Sequence, residues 1–165
     1  MAERAGQEDV QARRTVLRWF TYGLYAVTVA HEGDAGAFTA NWLGQASFDP
    51  PMLMVSVEAD SHSLPLIRAA GRFAVNVFAT GQRELAGQLG RKTRHVGDKL
   101  ATVAHHVEPS GLPVLDEALG YLTAEVTGEV VAGDSVVIVA RVVEAVVQRE
   151  GTPLTMAEAG FRHAG

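Results

Sequence analysis

The sequence contains no cysteine. That excludes disulfides, thiolate metal centres and a cysteine nucleophile. Aromatic residues make up only 7 % of it, so platforms for stacking nucleic-acid bases are scarce. Basic residues are outnumbered, and a formal net charge of −5 argues against broad nucleic-acid binding. No apolar run is long enough to span a bilayer. The charged opening MAERAGQEDVQARR lacks the apolar segment of a signal peptide, so a cytoplasmic protein with no membrane partner is the default expectation. Familiar chemical signatures are also missing. There is no GxGxxG or Walker loop and no GxSxG elbow. His105 and His106 are adjacent, so their side chains diverge on a strand, and His31, His62, His95 and His163 are scattered; no pair has metal-ligand spacing.

What is present reads as one globular domain over residues 1–165, because 47 % apolar and 20 % charged residues supply a real core. Glu8 to Phe20 is predicted as a helix, so that residues 1–20 form a helical arm ended by Gly23. Leu24 to His31, rich in β-branched residues, is predicted as a strand. Glu32 to Gly36 is a glycine-rich turn that returns the next strand as a hairpin. Met52 to Val57 and Arg72 to Phe78 read as apolar strands, and Tyr121 to Val130 with Ser135 to Gln148 as a long hairpin. Helices are predicted from the Ser61 region to Ala70, and over Gly81 to Leu89 with Thr80 as cap. Repeated βαβ units are absent, so a doubly wound parallel sheet is not expected. The order of elements suits a mainly β fold, an antiparallel, Greek-key-like barrel with helices at its rim.

One stretch stands out: Thr39 to Pro51, TANWLGQASFDPP. Read as one extended strand, it alternates at a period of two. Phe38, Ala40, Trp42, Ala46 and Phe48 fall on one side, and Thr39, Asn41, Gln45 and Ser47 on the other. Gly44 suggests a bulge, and Asp49-Pro50-Pro51 ends the pairing because proline cannot donate to a ladder. Such alternation also describes an ordinary strand with one face in water. Four uncharged hydrogen-bonding side chains in a row, however, could read the edge of a flat, polar heterocycle.

Further candidates follow in the chain. Ser61-His62-Ser63 precedes a helix, where a serine oxygen either caps a free N–H or shares the helix start with a bound anion. Arg72 lies just after the same helix. Arg91, Lys92, Arg94, His95 and Lys99 form the dense basic segment, either a solvated loop or a phosphate-neutralising one. Asn76 interrupts an apolar strand and needs a structural hydrogen bond if buried.

The wording GLYAVTV, then GAFTANWLGQASFDPPMLMVSV, then RFAVNVF resembles the flavin reductase family, whose members have an FMN-binding split barrel. The resemblance runs from about Tyr22 to Phe78 and returns near the C-terminus. It implies FMN as cofactor (FAD being the alternative), NAD(P)H as co-substrate, a homodimer, and an acceptor protein or oxygenase as partner. It places the flavin against Thr39, Ala40, Asn41, Trp42, Gln45, Ala46 and Ser47, with its phosphate near Ser61, His62 and Ser63. The GDKL wording at Gly97 to Leu100 places Lys99 beside the cofactor. In many family members the turn before the long C-terminal strand reads Gly-Asp-His, and the histidine receives the nicotinamide. Here it reads Gly133-Asp134-Ser135, leaving Ser135 as the nicotinamide contact. The rival readings are an FMN-binding electron-transfer protein that does not oxidise NAD(P)H, and a split barrel for another ligand, of the pyridoxamine-phosphate-oxidase, haem or F420 kind.

Overall fold

The computed structural model describes residues 2–163. Helix α1 spans Ala2–Arg18, starting before and ending short of the predicted Glu8 to Phe20. Strand β1, Tyr25–His31, then pairs with β2, Asp34–Ala40. Their turn is tighter than predicted. Glu32 and Gly33 alone make it, with φ of 49° and 86°, the two positive values that match the strand twist in a two-residue hairpin. Asp34, Ala35 and Gly36 already belong to β2.

The stretch read as one strand is two. After β2 the chain bends at Asn41 and Trp42, and β3 is Leu43–Ser47. The reason lies in the partners. β2 pairs with β1, whereas β3 pairs with β4, Met52–Glu58. The seven-stranded sheet runs β2-β1-β5-β8-β9-β4-β3, with β5 at Arg72–Val77, β8 at Gly120–Ala132 and β9 at Ser135–Val147. β2 and β3 are therefore its two edges. Yet only two residues separate them, so Ala40 and Leu43 lie within about 11 Å of each other. The sheet must curl until its edges meet. The result is the split barrel expected, antiparallel throughout, joined at the split by covalent chain rather than by a β2–β3 ladder.

The bend also overturns the predicted apolar face. Phe38 and Ala40 belong to the core, but Trp42 is 38 % exposed and Phe48 89 % exposed, and Ala46 is exposed. The ladder shift falls between Gln45 and Ser47, at Ala46, two residues past the glycine predicted to carry it.

Helix α2, Ser63–Ala70, crosses between β4 and β5 and packs Leu64 and Ile67 on the sheet. Gly71, at φ 67°, closes it with an N–H to the Ile67 carbonyl, the left-handed cap that glycine adopts without strain. Helix α3, Arg83–Leu89, has Gln82 and not Thr80 at its N-cap position, with no side-chain bond to the helix N–H groups. Gln82 Oε1 accepts from Ala79 N–H, and the Thr80 hydroxyl donates to Glu158. The basic segment holds a short helix α4, Thr93–Val96, followed by a 3₁₀ turn at Leu100–Thr102. A small ladder of β6, His105–Val107, and β7, Pro113–Leu115, covers one flank. Asn76 is fully buried and structural, donating to the Ala26 carbonyl and Thr28 Oγ1 while accepting from Leu115 N–H. Helix α5, Met156–Ala159, returns the chain toward the barrel's split.

Candidate functional site

A cavity of about 360 Å³ opens beside the bend, within the range of roughly 300–1,000 Å³ usual for small-molecule and cofactor sites. Its walls come from the end of β2, the start of α2, the end of α3, the basic segment, Ser135 and His163 near the C-terminus. These elements meet here because the barrel splits here. β2 is an edge strand, so alternate backbone N–H and C=O groups face outward without a ladder partner.

Of the residues singled out from the sequence, Thr39, Ala40, Asn41, Trp42, Ser61, His62, Ser63, Lys99 and Ser135 line this cavity together. Gln45, Ala46 and Ser47 do not. They sit on β3 beyond the bend, where Gln45 Nε2 donates to the Ser47 carbonyl. The row of four was an artefact of reading two strands as one. Arg72 is also elsewhere, beside His31, Glu32 and Gly111 on another surface. Thr39 is present but engaged, its hydroxyl donating to the Ala86 carbonyl at 2.6 Å.

The start of α2 forms one end of the cavity. Ser61 Oγ accepts from Leu64 N–H at 3.1 Å, so the capping role is real and falls to Ser61. Ser63 is buried against Gly36, where even a methyl group would stand 2.6 Å from its Oγ. The glycine lets α2 settle directly onto β2. His62 leans outward, with Nε2 at 3.2 Å from the Ala35 carbonyl and 3.4 Å from Asp34.

Lys99 is the most constrained cation. It is 8 % exposed and donates at 2.8 Å to two carbonyls, Ala37 on β2 and Leu89 at the end of α3. It thus clamps strand to helix, and a cation suits the carbonyl end of a helix. An ammonium has three donors, so one remains beyond these two bonds. Burial strips the ammonium of hydration and lowers its pKa to about 8, with Glu58 pulling upward and Lys92 downward. At the rim Lys92 reaches Glu58 and Asp60, the latter at 2.7 Å, and Arg94 reaches Asp60 at 3.2 Å. The hydrogen bond from Lys92 holds the Asp60 carboxyl below its ordinary range, and Asp60 in turn holds Lys92 above its own. Arg91 lines the same wall with no ion pair among the described residues.

The other end is neutral and aromatic. Buried Asn41 donates to the His163 carbonyl at 3.0 Å and approaches Met156 Sδ at 3.3 Å. The Trp42 and His163 rings stand 5.4 Å apart. The arrangement is a cationic, helix-start end joined to a flat polar end.

The flavin reductase like domain matches residues 17–165. The chain belongs to the flavin reductase family. It is 35 % identical to the high molecular weight rubredoxin of Moorella thermoacetica over 86 % of this chain and 62 % of that protein. It is 33 % identical to the reductase component of a 4-nitrophenol 4-monooxygenase/4-nitrocatechol 2-monooxygenase from Rhodococcus opacus, over 91 % of this chain and 78 % of that one. Among solved structures, nitrilotriacetate monooxygenase component B from Mycobacterium thermoresistibile superposes with a TM-score of 0.80 at 27 % identity, covering 91 % of this chain and 83 % of that chain. The chain spans less than two thirds of the length of several curated relatives it matches.

Sequence reasoning missed part of the cavity of this flavin reductase family member. Glu58, Asp60 and His163 reach the cavity from positions that carry no local signal. Glu58 merely ends an apolar strand, and His163 was one of several scattered histidines. Among the described residues no group of three metal-ligating side chains forms, and no helix is long and apolar enough to cross a membrane.

Proposed function

We propose that the chain is an FMN-binding flavin reductase that takes reducing equivalents from NAD(P)H and delivers them, through flavin, to an oxygenase or another acceptor. The observation that carries this is the two-ended cavity. Ser61, Ser63, Arg91 and Lys99 would hold a phosphate at one end, where a helix start and cations act together. The open edge of β2, with Ala40, Asn41 and Trp42, would meet a flat heterocycle with alternating donors and acceptors at the other. Fit supports it: Lys99 keeps one donor beyond its two carbonyl bonds, and the cavity size suits a cofactor. A single cluster of cations favours FMN over a dinucleotide flavin.

A bound flavin supplies the two-electron chemistry, so no side-chain acid or base is required. The protein's own work is to orient the ring, to present fixed neutral donors where negative charge would develop, and to exclude carboxylates from that end. Glu58 and Asp60, the carboxylates lining the cavity, are neutralised at the cationic end by Lys92 and Arg94.

The proposal includes a homodimer. Val130 and Val131, adjacent near the tip of the β8–β9 hairpin, are exposed at 62 % and 74 %, apolar surface that a second copy would cover; size-exclusion chromatography with light scattering reads it. A second reading, a flavin protein that carries electrons without oxidising NAD(P)H, has one observation in its favour. Ser135 stands at the turn and its hydroxyl is held by Asp134 at 3.1 Å, so no imidazole is present at that position.

Titration with FMN and with riboflavin, followed by quenching of flavin fluorescence, tests the site. Binding of FMN about tenfold tighter than riboflavin, a difference of ~1.4 kcal/mol, is expected. Equal affinity, or binding of neither, overturns the phosphate end of the proposal.

A further inference from the structure

The cavity's open wall is built by a residue far along the chain. After α5, Gly160 turns the backbone at φ 70° and brings His163 to the bend between β2 and β3. The segment is held there by Asn41, whose amide grips the His163 carbonyl and approaches Met156. The two rings, Trp42 and His163, meet at 5.4 Å between centroids with planes at 41°. Both line the cavity, and both are exposed.

Three groups lining the cavity, His62, Ser135 and His163, are placed to meet a second ligand, and two are engaged. His62 is tied to Ala35 and Asp34. The Ser135 hydroxyl is held by Asp134. Neither ring nitrogen of His163 has a hydrogen-bond partner among the described residues, its anchoring being through its carbonyl and its ring face.

We infer that His163, braced on Trp42, is a positioning residue for the nicotinamide ring of the reducing co-substrate. The inference rests on the flavin-reductase reading above. The buried groups of the cavity, Asn41, Ser63 and Lys99, suit a ligand that stays. The exposed pair at the mouth suits one that enters and leaves in each turnover. A tilted aromatic pair offers a face and an edge to a third planar ring, and an uncommitted imidazole can exchange a hydrogen bond with a carboxamide. Because the Asn41 contact is to the backbone of His163, replacing the imidazole leaves the tether in place.

The test uses the unreactive oxidised nucleotides NAD⁺ and NADP⁺ with the FMN-loaded protein. Binding is read by calorimetry, and by Trp42 fluorescence in a Trp19→Phe background. In His163→Ala the affinity for the preferred nucleotide falls about tenfold, equivalent to ~1.4 kcal/mol, and the fluorescence response shrinks. His163→Phe, which keeps a ring on Trp42 but lacks the imidazole nitrogens, recovers only the part of the affinity that ring packing supplies. In steady state KM for the reduced nucleotide rises while kcat changes by less than about twofold, the pattern of lost uniform binding. FMN affinity is measured in parallel. Unchanged nucleotide affinity in His163→Ala overturns the inference, as does a tenfold loss of FMN affinity with nucleotide binding intact. A wild-type protein that binds no FMN defeats the flavin reading itself and is recognised before any variant is made.

Discussion

Asn41 donates a hydrogen bond to the carbonyl of His163, 122 positions later, at 3.0 Å. The bend that separates the two edge strands is thereby tied to the C-terminal segment, which supplies the rim of the candidate site on that side. Asn41→Ala removes this tie and leaves a gap beside Met156. A loss of about 1–3 kcal/mol in stability is expected from the lost bonds of a buried amide, read from the denaturant midpoint, together with weaker FMN binding. Ser47→Ala is the matched control. Ser47 lies beyond the bend and outside the cavity, so its replacement leaves FMN affinity unchanged.

Lys99 gives the site a pH dependence. Its folded pKa is lowered to about 8 from 10.5, first by burial, with Glu58 opposing and Lys92 adding to the shift. Below pH 8 the ammonium is charged and available to a phosphate. Above it the charge is lost, so FMN affinity should fall as pH rises through 8, with a slope of up to one proton. Lys99→Arg, which does not titrate there, should flatten the profile. For the protein without ligand the sign is opposite. The unfolded chain holds this proton up to about pH 10.4 and the folded chain only to about 8, so the contribution of Lys99 to stability rises with pH between the two.

Gly36 and Ser63 should be coupled. A Cβ at position 36 would stand 2.6 Å from Ser63 Oγ and 3.3 Å from Leu66 Cδ1. Gly36→Ala is expected to cost about 1–3 kcal/mol by overpacking and to weaken FMN binding by lifting α2 from β2. Adding Ser63→Ala should return part of the stability. A double mutant no more stable than Gly36→Ala alone would show that the clash lies elsewhere.

Asn76 separates core from site. It joins β5, β1 and β7 through bonds to Ala26, Thr28 and Leu115 and does not line the cavity. Asn76→Ala should cost on the order of 3 kcal/mol, seen as a lower thermal midpoint, while the folded fraction keeps its FMN affinity.

Much of this was legible in the sequence, and what was not has a common cause. The β-branched runs of β1, β5, β8 and β9 carried their own signal, as did Gly71 at the end of α2. Asn76 announced itself as a polar residue in an apolar strand. The TANW stretch was found, but its alternation continues across a corner, and periodicity records side-chain parity rather than which neighbour a strand pairs with. Only the pairing of β2 with β1 and β3 with β4 reveals the bend, and with it the removal of Gln45, Ala46 and Ser47 from the cavity. Thr80 looked like a cap because threonine favours that position, but Glu158 claimed its hydroxyl. His163 had no local pattern at all; its place depends on the long-range bond from Asn41.

The central claim is tested most directly by loading the protein with FMN in the absence of oxygen and following the flavin absorbance as NADH, and separately NADPH, is added. Rapid bleaching by one of them is the result the account predicts. A bound flavin that stays oxidised with both, yet bleaches with dithionite, would contradict it and assign the protein to electron transfer from another donor.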